Sequence, residues 1–467
     1  MDRPKNSPTV SCHVMAVPFP GRGHINPMMC LCEFLALRRQ DLLVTFVVTE
    51  EWFGFIGSDP KPDNIRFAKI PNVIPSESGR GADQPAFYEA VLRNMRAPLE
   101  DLLDRLDTPA NAIVADTYLV WSADVGTWRN IPVASLWTSS ATVYSVFRHF
   151  DLLVRNRHFP VDLKAMGNEL VDYIPGLPPT RIADLPTCLY GKGNQILNKA
   201  LESISTTETK AQYLLLASPY QLEQQVIDAL TTKLSPFPVY HIGPNIPYYK
   251  LDSPNYSSRN TSHADHLEWL DKQPRGSVLY ASQGSLFSTS KAQMEEIASG
   301  LRDSRVRYFW VGREEHSRLR ENCGGGNGMV VPWCDQLRVL CHPSIGGFWS
   351  HCGWNSTSEA AFAGVPMLNF PIYWDQVTNS KMVVEDWKMG WKVKRGFGDE
   401  EVLVGRQEIA GIVKRFMDVE KEEEVRDMRR RACELRDTCR RAVGKGGSSD
   451  AHIEAFLNDL YQNANKP

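Results

Sequence analysis

The chain has 467 residues, too many for one ordinary core, so two domains of roughly 200–250 residues each are expected. Its 42% hydrophobic content excludes wholesale disorder, and 52 basic against 55 acidic residues, a formal charge of −3, leave no footprint for nucleic acid. No apolar run reaches the ~18 residues of a membrane span, and the proline-broken N-terminus reads against a secretory leader, so a cytoplasmic protein is expected.

The opening reads strand, tight loop, helix: HVMAVPFP, then GRGH, then a helix from about Asn26. Asn26 is placed as N-cap and Pro27 as the first helical residue, with Leu31, Phe34 and Leu35 at helical spacing. Leu42–Thr49, Asn111–Asp116, Asn130–Trp137 and Gln212–Ala217 are short and nearly continuous in apolar residues, which suits parallel strands buried on both faces. Helical stretches separate them, so residues 1–245 read as one doubly wound α/β domain. Around Pro244–His263 the chain turns rich in Pro, Asn and Ser, and the linker is set at residues 246–263. A second series occupies residues 264–450, with Gly276–Ser285, Tyr308–Gly312, Ile345–Ser350 and Pro366–Pro371 as strands. Asp418–Val443 is a charge-dense helix whose Glu and Arg read as a solvated face. After a break at Gly444–Ser449 comes a last helix, Asp450–Gln462. Residues 451–467 are set apart as a C-terminal helix that could pack back on the first domain.

Ten cysteines are scattered without a C-x-x-C pair and are expected to be reduced and buried. Asn255, Asn260 and Asn355 stand in N-x-S/T patterns, which a cytoplasmic chain has no need to use.

The densest chemistry lies between Trp333 and Gln376. Trp333 offers a flat ring on which a planar base can stack. His351, Gly353, Asn355 and Ser356 fall in one Gly-containing turn where backbone N–H groups can converge on an anion. A helix then reads from Ser356, and its N-terminus favours a diphosphate. Glu359, one turn on, can accept hydrogen bonds from ribose hydroxyls, and the adjacent Asp375 and Gln376 suit the vicinal hydroxyls of a sugar. Base, ribose, diphosphate and hexose partners thus come in the order of a nucleotide sugar.

This segment, with HCGWNSTSE and AGVPM inside it, resembles the signature box of plant family 1 UDP-dependent glycosyltransferases. The resemblance implies two Rossmann-like doubly wound domains facing a cleft, the GT-B architecture, with the acceptor in the first and the UDP-sugar in the second. It also implies UDP-sugar contacts at Gln336 and Trp354, at Thr138 in LWTSSA, and at Ser285 in QGS. Two positions depart from the family pattern: Asp335 stands where Pro is common, and Gln283 where an aromatic or apolar residue is common.

Glycosyl transfer to a hydroxyl needs a base, and a well-placed one contributes roughly 10²–10⁴-fold. His24 lies just after the first strand and beside a helix start, at the sheet edge where ligands bind. Asp116, at the end of NAIVAD, is the natural carboxylate to fix its tautomer and stabilise the imidazolium. The resemblance points to the same two through GHINPM and VADTYLVW. The sequence holds no D-x-D, so no divalent metal and no cofactor is expected, and the diphosphate would be met by backbone N–H groups and His351.

The expected activity is inverting transfer of glucose from UDP-glucose to a hydroxyl of a small lipophilic acceptor, a flavonoid, another phenolic or a terpenoid. Gln376 favours glucose by family analogy, with pentose, galactose or glucuronic acid as alternatives. A dehydrogenase is disfavoured because G-x-G-x-x-G is missing, and an idle nucleotide-sugar binding protein because His24 and Asp116 are both present. Pro75–Tyr88, Val143–Leu153 and Thr180–Asn194 are expected to shape the acceptor pocket, and a monomer is expected.

Overall fold

The structure, a computed structural model, describes residues 10–77, 83–190, 194–251, 261–284, 289–312, 327–393 and 403–464. Two parallel sheets organise them. The first holds β1 (Cys12–Val17), β2 (Leu42–Thr49), β3 (Ile65–Ile70), β4 (Ala112–Asp116) and β5 (Val133–Trp137). After a small antiparallel hairpin, β6 (Leu170–Val171) with β7 (Thr180–Arg181), it adds β8 (Tyr213–Leu216) and β9 (Val239–His241). Its strand order is β3-β2-β1-β4-β5-β8-β9. The second sheet comprises β10 (Val278–Ser282), β11 (Arg307–Val311), β12 (Gly328–Val331), β13 (Ile345–Ser350), β14 (Met367–Asn369) and β15 (Gly390–Lys392). Its order is β12-β11-β10-β13-β14-β15, so both halves are Rossmann-like and doubly wound, as expected.

The chain order reverses between β1 and β4 in the first sheet and between β10 and β13 in the second. At such a switch point the loops leaving neighbouring strands diverge to opposite faces and open a crevice beyond the strand C-termini. The first crevice receives the loop that leaves β1 and the end of β4. The second receives the loops that leave β10 and β13. The central strands are wholly buried, β1 and β4 on both faces, which is why they read as continuous apolar runs.

The first helix corrects the sequence reading. It spans Arg22–Arg38 and starts at Gly21, ahead of the expected Asn26 cap, so His24 sits in its first turn. Gly21, at φ 153°, takes a conformation open to glycine that swings the chain from β1 into the helix. Pro27 lies inside the helix and has no N–H for the carbonyl of Gly23. That carbonyl instead accepts a hydrogen bond from Asn355 Nδ2 at 3.1 Å, from the other half of the molecule.

Other boundaries also move. A helix already begins at Thr261, inside the segment read as linker, while residues 252–260 of that segment lie outside the described residues. The charge-dense helix is shorter than expected, Glu423–Val443, and turns Val425, Met428, Ala432, Cys439 and Ala442 inward. The last helix runs Ser448–Ala464 and joins the first half, where Ile453, Phe456, Leu457 and Leu460 share a core with Val14, Phe34 and Leu42. The described cysteines are free, and most are buried. No described helix is long and apolar enough to cross a membrane.

Candidate active site

One cleft of about 850 Å³ runs between the halves, and His24, Thr138, Trp333, Gln336, His351 and Glu359 are among the residues that line it. His24 Nδ1 lies 2.8 Å from Asp116 Oδ2. An ionised carboxylate only accepts, so Nδ1 carries the proton and Nε2 keeps its lone pair. The Asp116 side chain is 1% exposed and that of His24 26%, so the carboxylate is dry while the imidazole reaches the cleft. Asp116 is fixed in turn by the backbone N–H of Tyr118, which donates to Oδ1 at 3.0 Å. Thr138 Oγ1 lies 3.0 Å from the same Nδ1. The structure therefore puts Thr138 beside the imidazole, at the end of β5, where it helps hold the ring.

Across the cleft, His351 comes directly after β13 and packs against two glycines. A Cβ on Gly284 would lie 2.4 Å from His351 Nε2, and a Cβ on Gly353 2.5 Å from it. Gly284 also has φ +81°, a backbone conformation that favours glycine. Both glycines are thus needed to seat the imidazole. Gly353 then caps the helix Trp354–Ala363, which starts ahead of the expected Ser356, so Asn355 and Ser356 belong to its first turn. This N-terminus faces the cleft with free backbone N–H groups. Trp354 is the first residue of this helix and lines the cleft, its indole is buried, and Nε1 donates to Ala217 O at 2.9 Å in the first half.

Gln336 ties three cleft residues together. Its Oε1 accepts from Tyr280 Oη at 3.0 Å, and its Nε2 donates to Ser356 Oγ at 2.9 Å and Glu359 Oε2 at 2.5 Å. Burial pushes the Glu359 carboxyl up to about 7, against the opposing effect of the Gln336 hydrogen bond. Trp333 is half-exposed at the rim, as a stacking platform would be. Asp335 caps the helix Gln336–Leu340 by accepting from Arg338 N at 3.2 Å, so the departure at this position builds a turn.

Asp375 and Gln376 are both buried at the cleft. Asp375 Oδ2 accepts from Asn379 Nδ2 at 2.9 Å and from Ser139 Oγ, in the first half, at 3.2 Å. Burial pushes this carboxyl up to about 6. Gln376 Oε1 accepts from the backbone N–H groups of Ile372 and Tyr373 at 2.8 and 3.0 Å, which turns its amide nitrogen to the remaining side. Gln283 lies at the end of β10, and both its amide atoms are buried. Ser285 lies outside the described residues, as do residues 78–82 and 191–193 of the expected acceptor segments.

The sequence reading missed the aromatic wall beside the dyad. Phe19 packs at 5.2 Å from the His24 ring, Tyr118 at 6.0 Å, and Trp374 reaches Tyr118 from the second half at 6.3 Å. Trp374 is locked there by Thr187, whose N–H donates to its carbonyl at 3.0 Å and whose Oγ1 accepts from its N–H at 2.8 Å. Tyr118 stood two residues from the Asp116 already singled out, which was the one signal available.

Known proteins match this arrangement. The family profile described as UDP-glucoronosyl and UDP-glucosyl transferase matches residues 237–402. UDP-glycosyltransferase 87A1 of Arabidopsis thaliana is 53% identical over 95% of this chain and 99% of its own length. UDP-glycosyltransferase 87A2 of the same plant is 50% identical over 98% and 99%. Among solved structures, Medicago truncatula UGT71G1 complexed with UDP-glucose superposes with a TM-score of 0.80 at 26% identity, over 96% of this chain and 98% of that one. Os79 from O. sativa, in complex with U2F and trichothecene, gives 0.80 at 29% identity, over 96% and 100%. With two doubly wound halves, a nucleotide-sugar signature on the second and relatives matched along nearly their whole length, the chain belongs to the plant family 1 UDP-glycosyltransferases and is a glycosyltransferase.

Proposed function

We propose that this enzyme transfers glucose from UDP-glucose to a hydroxyl of a small lipophilic acceptor, with inversion and without a metal ion. The observation that carries the reading is the His24 Nδ1 to Asp116 Oδ2 contact of 2.8 Å, in the same cleft as the Trp333–Gln376 donor wall. His24 Nε2 takes the acceptor proton while the acceptor oxygen forms its bond to the anomeric carbon. The bond from that carbon to the diphosphate breaks, and UDP leaves with the electron pair. Asp116, buried against the far nitrogen, stabilises the imidazolium formed in this step. An α-linked donor attacked from the opposite face gives a β-glucoside in one displacement.

The diphosphate is met by the N-terminus of Trp354–Ala363, Ser356 and His351, a donor set that needs no cation to balance the departing charge. Trp333 carries the uracil ring and Glu359 the ribose hydroxyls. Asp375 and the amide nitrogen of Gln376 take the hexose hydroxyls. The Medicago truncatula relative complexed with UDP-glucose supports glucose as the sugar.

The test is UDP release with UDP-glucose and a panel of phenolic and terpenoid alcohols, in EDTA, for wild type and His24→Ala. Acceptor-dependent release is expected, reduced at least about 10²-fold in the variant. Unchanged release by His24→Ala would remove the base assignment, and loss of wild-type release in EDTA alone would remove metal independence.

A further inference from the structure

The turn that carries Asp375 and Gln376 holds a strained residue. Trp374, just ahead of the helix Gln376–Lys381, has φ +62°, a left-handed backbone that a bulky side chain takes only where its surroundings enforce it. Asp375 and Gln376 follow directly, and all three residues line the cleft. Part of the turn is held from within, where Gln376 Oε1 accepts from the N–H groups of Ile372 and Tyr373. Trp374 itself is held from the other half of the molecule. Its N–H donates to Thr187 Oγ1 at 2.8 Å, and its carbonyl accepts from Thr187 N–H at 3.0 Å. One residue of the first half thus grips the peptide groups on both sides of the strained Cα. Thr187 opens the short helical turn Thr187–Leu189, is buried, and is not among the residues that line the cleft. Its segment is fastened to the second half again at Asp184, whose carbonyl accepts from Thr378 Oγ1 at 2.9 Å and whose Oδ1 accepts from Lys392 Nζ at 2.8 Å.

We propose that Thr187 is a positioning residue for the donor sugar: from the first half it holds Trp374 in its left-handed conformation and so aims Asp375 and Gln376 at the hexose. The assignment rests on the reading of those two residues as the hexose partners. The backbone torsion at position 374 sets the direction of the chain that follows it. Without the Oγ1 acceptor the Trp374 N–H loses its partner, and the strained torsion loses one of the two bonds that enforce it. The turn then relaxes, and the side chains displaced first are those of the next two residues. Trp333, Gln336 and the N-terminus of Trp354–Ala363 belong to other elements and keep their places. Loss of the clamp is therefore felt by the sugar and not by the nucleotide.

The test is calorimetric binding of UDP and of UDP-glucose, without acceptor, to wild type, Thr187→Val, Thr187→Ser and Gln376→Ala. Thr187→Val keeps the side-chain shape and the backbone N–H and deletes only the Oγ1 acceptor. It is expected to weaken UDP-glucose about threefold to tenfold, the effect of one lost hydrogen bond, and to leave UDP within about twofold of wild type. The retained UDP affinity also shows that the variant is folded. Thr187→Ser keeps the acceptor and should return UDP-glucose to wild-type affinity. Equal weakening of both ligands by Thr187→Val, no weakening of UDP-glucose, or a Thr187→Ser protein as weak as Thr187→Val overturns the proposal. Failure of the hexose reading would appear separately, as a Gln376→Ala protein that binds UDP-glucose as tightly as wild type, and it would take the proposal with it.

Discussion

Glu359 shows how a carboxyl held at the cleft wall weakens the fold as pH rises. Its carboxylate lies against Gln336 Nε2 at 2.5 Å, and partial burial favours the neutral form over the ionised one. An unfolded glutamate titrates near ~4.3, and burial raises Glu359 to about 7 in the fold. Between those values the native state holds more protons than the unfolded one, so stability falls as pH rises, and the loss is complete above 7. Glu359→Gln should therefore raise the thermal midpoint of the free enzyme at pH ~8 and not at pH ~4, by roughly 2–4 °C for each kcal/mol regained. It should also weaken UDP, since a carboxylate accepts from ribose hydroxyls more strongly than an amide does. Thermal unfolding across pH checks this, and an equal rise at both ends would exclude charge burial as the cause. Residues such as Glu359, Gln336, His24 and Asp116 were legible because motif spacing marks them. Trp374 and Ser139 were not, because each acquires its place through contacts with residues far away in sequence, such as the Ser139–Asp375 bond between the two halves.

The elements obey a simple rule of burial. The strands read correctly from sequence, β1, β2, β4, β5, β8, β10, β11, β13 and β14, are the inner strands of the two sheets. The four missed from the main sheets, β3, β9, β12 and β15, are their edges. An inner strand is covered on both faces and shows an unbroken apolar run, whereas an edge strand such as β3, IRFAKI, leaves its middle half-buried and mixes charge with apolar residues. The first helix was misread at its start for a related reason. Pro27 marks a helix beginning locally, and the hydrogen bond that lets it sit deeper comes from Asn355 in the other half. The loop after β10 makes a tight demand on a single residue type. Gly284 needs φ +81° and leaves no room for a Cβ, which would meet His351 at 2.4 Å. Gly284→Ala is expected to push the imidazole off its seat, raise the KM for UDP-glucose about tenfold or more, and cost about 1–3 kcal/mol of stability. Steady-state kinetics and urea unfolding check both effects. An unchanged KM with lowered stability would mean that His351 does not hold the donor.

At the scale of the whole molecule, the chain crosses between its halves a second time at its end. The helix Glu423–Val443 packs behind Trp354–Ala363, the helix whose N-terminus faces the cleft, and Gly364 at the end of the latter lies against Arg436. It feeds directly into Ser448–Ala464, which is pinned to the first half by Arg38 to Asp450 at 2.5 Å and by Tyr461 Oη donating to Asp41 at 2.8 Å. Single polar contacts of this kind contribute about 1 kcal/mol each, so the main anchor is the apolar face. Phe456 is fully buried and packs on Tyr213 and Tyr240, each at 5.7 Å. Phe456→Ala should cost about 3–5 kcal/mol, since the sheet behind it cannot collapse to fill the space. This site belongs to the core of the first half and lies away from the donor wall. The loss should therefore appear in the urea midpoint, while the KM for UDP-glucose, measured well below the transition, stays near that of wild type. A normal midpoint would show that the last helix is not part of that core. A raised KM at full stability would show instead that docking of the chain end sets how the two halves face each other across the cleft.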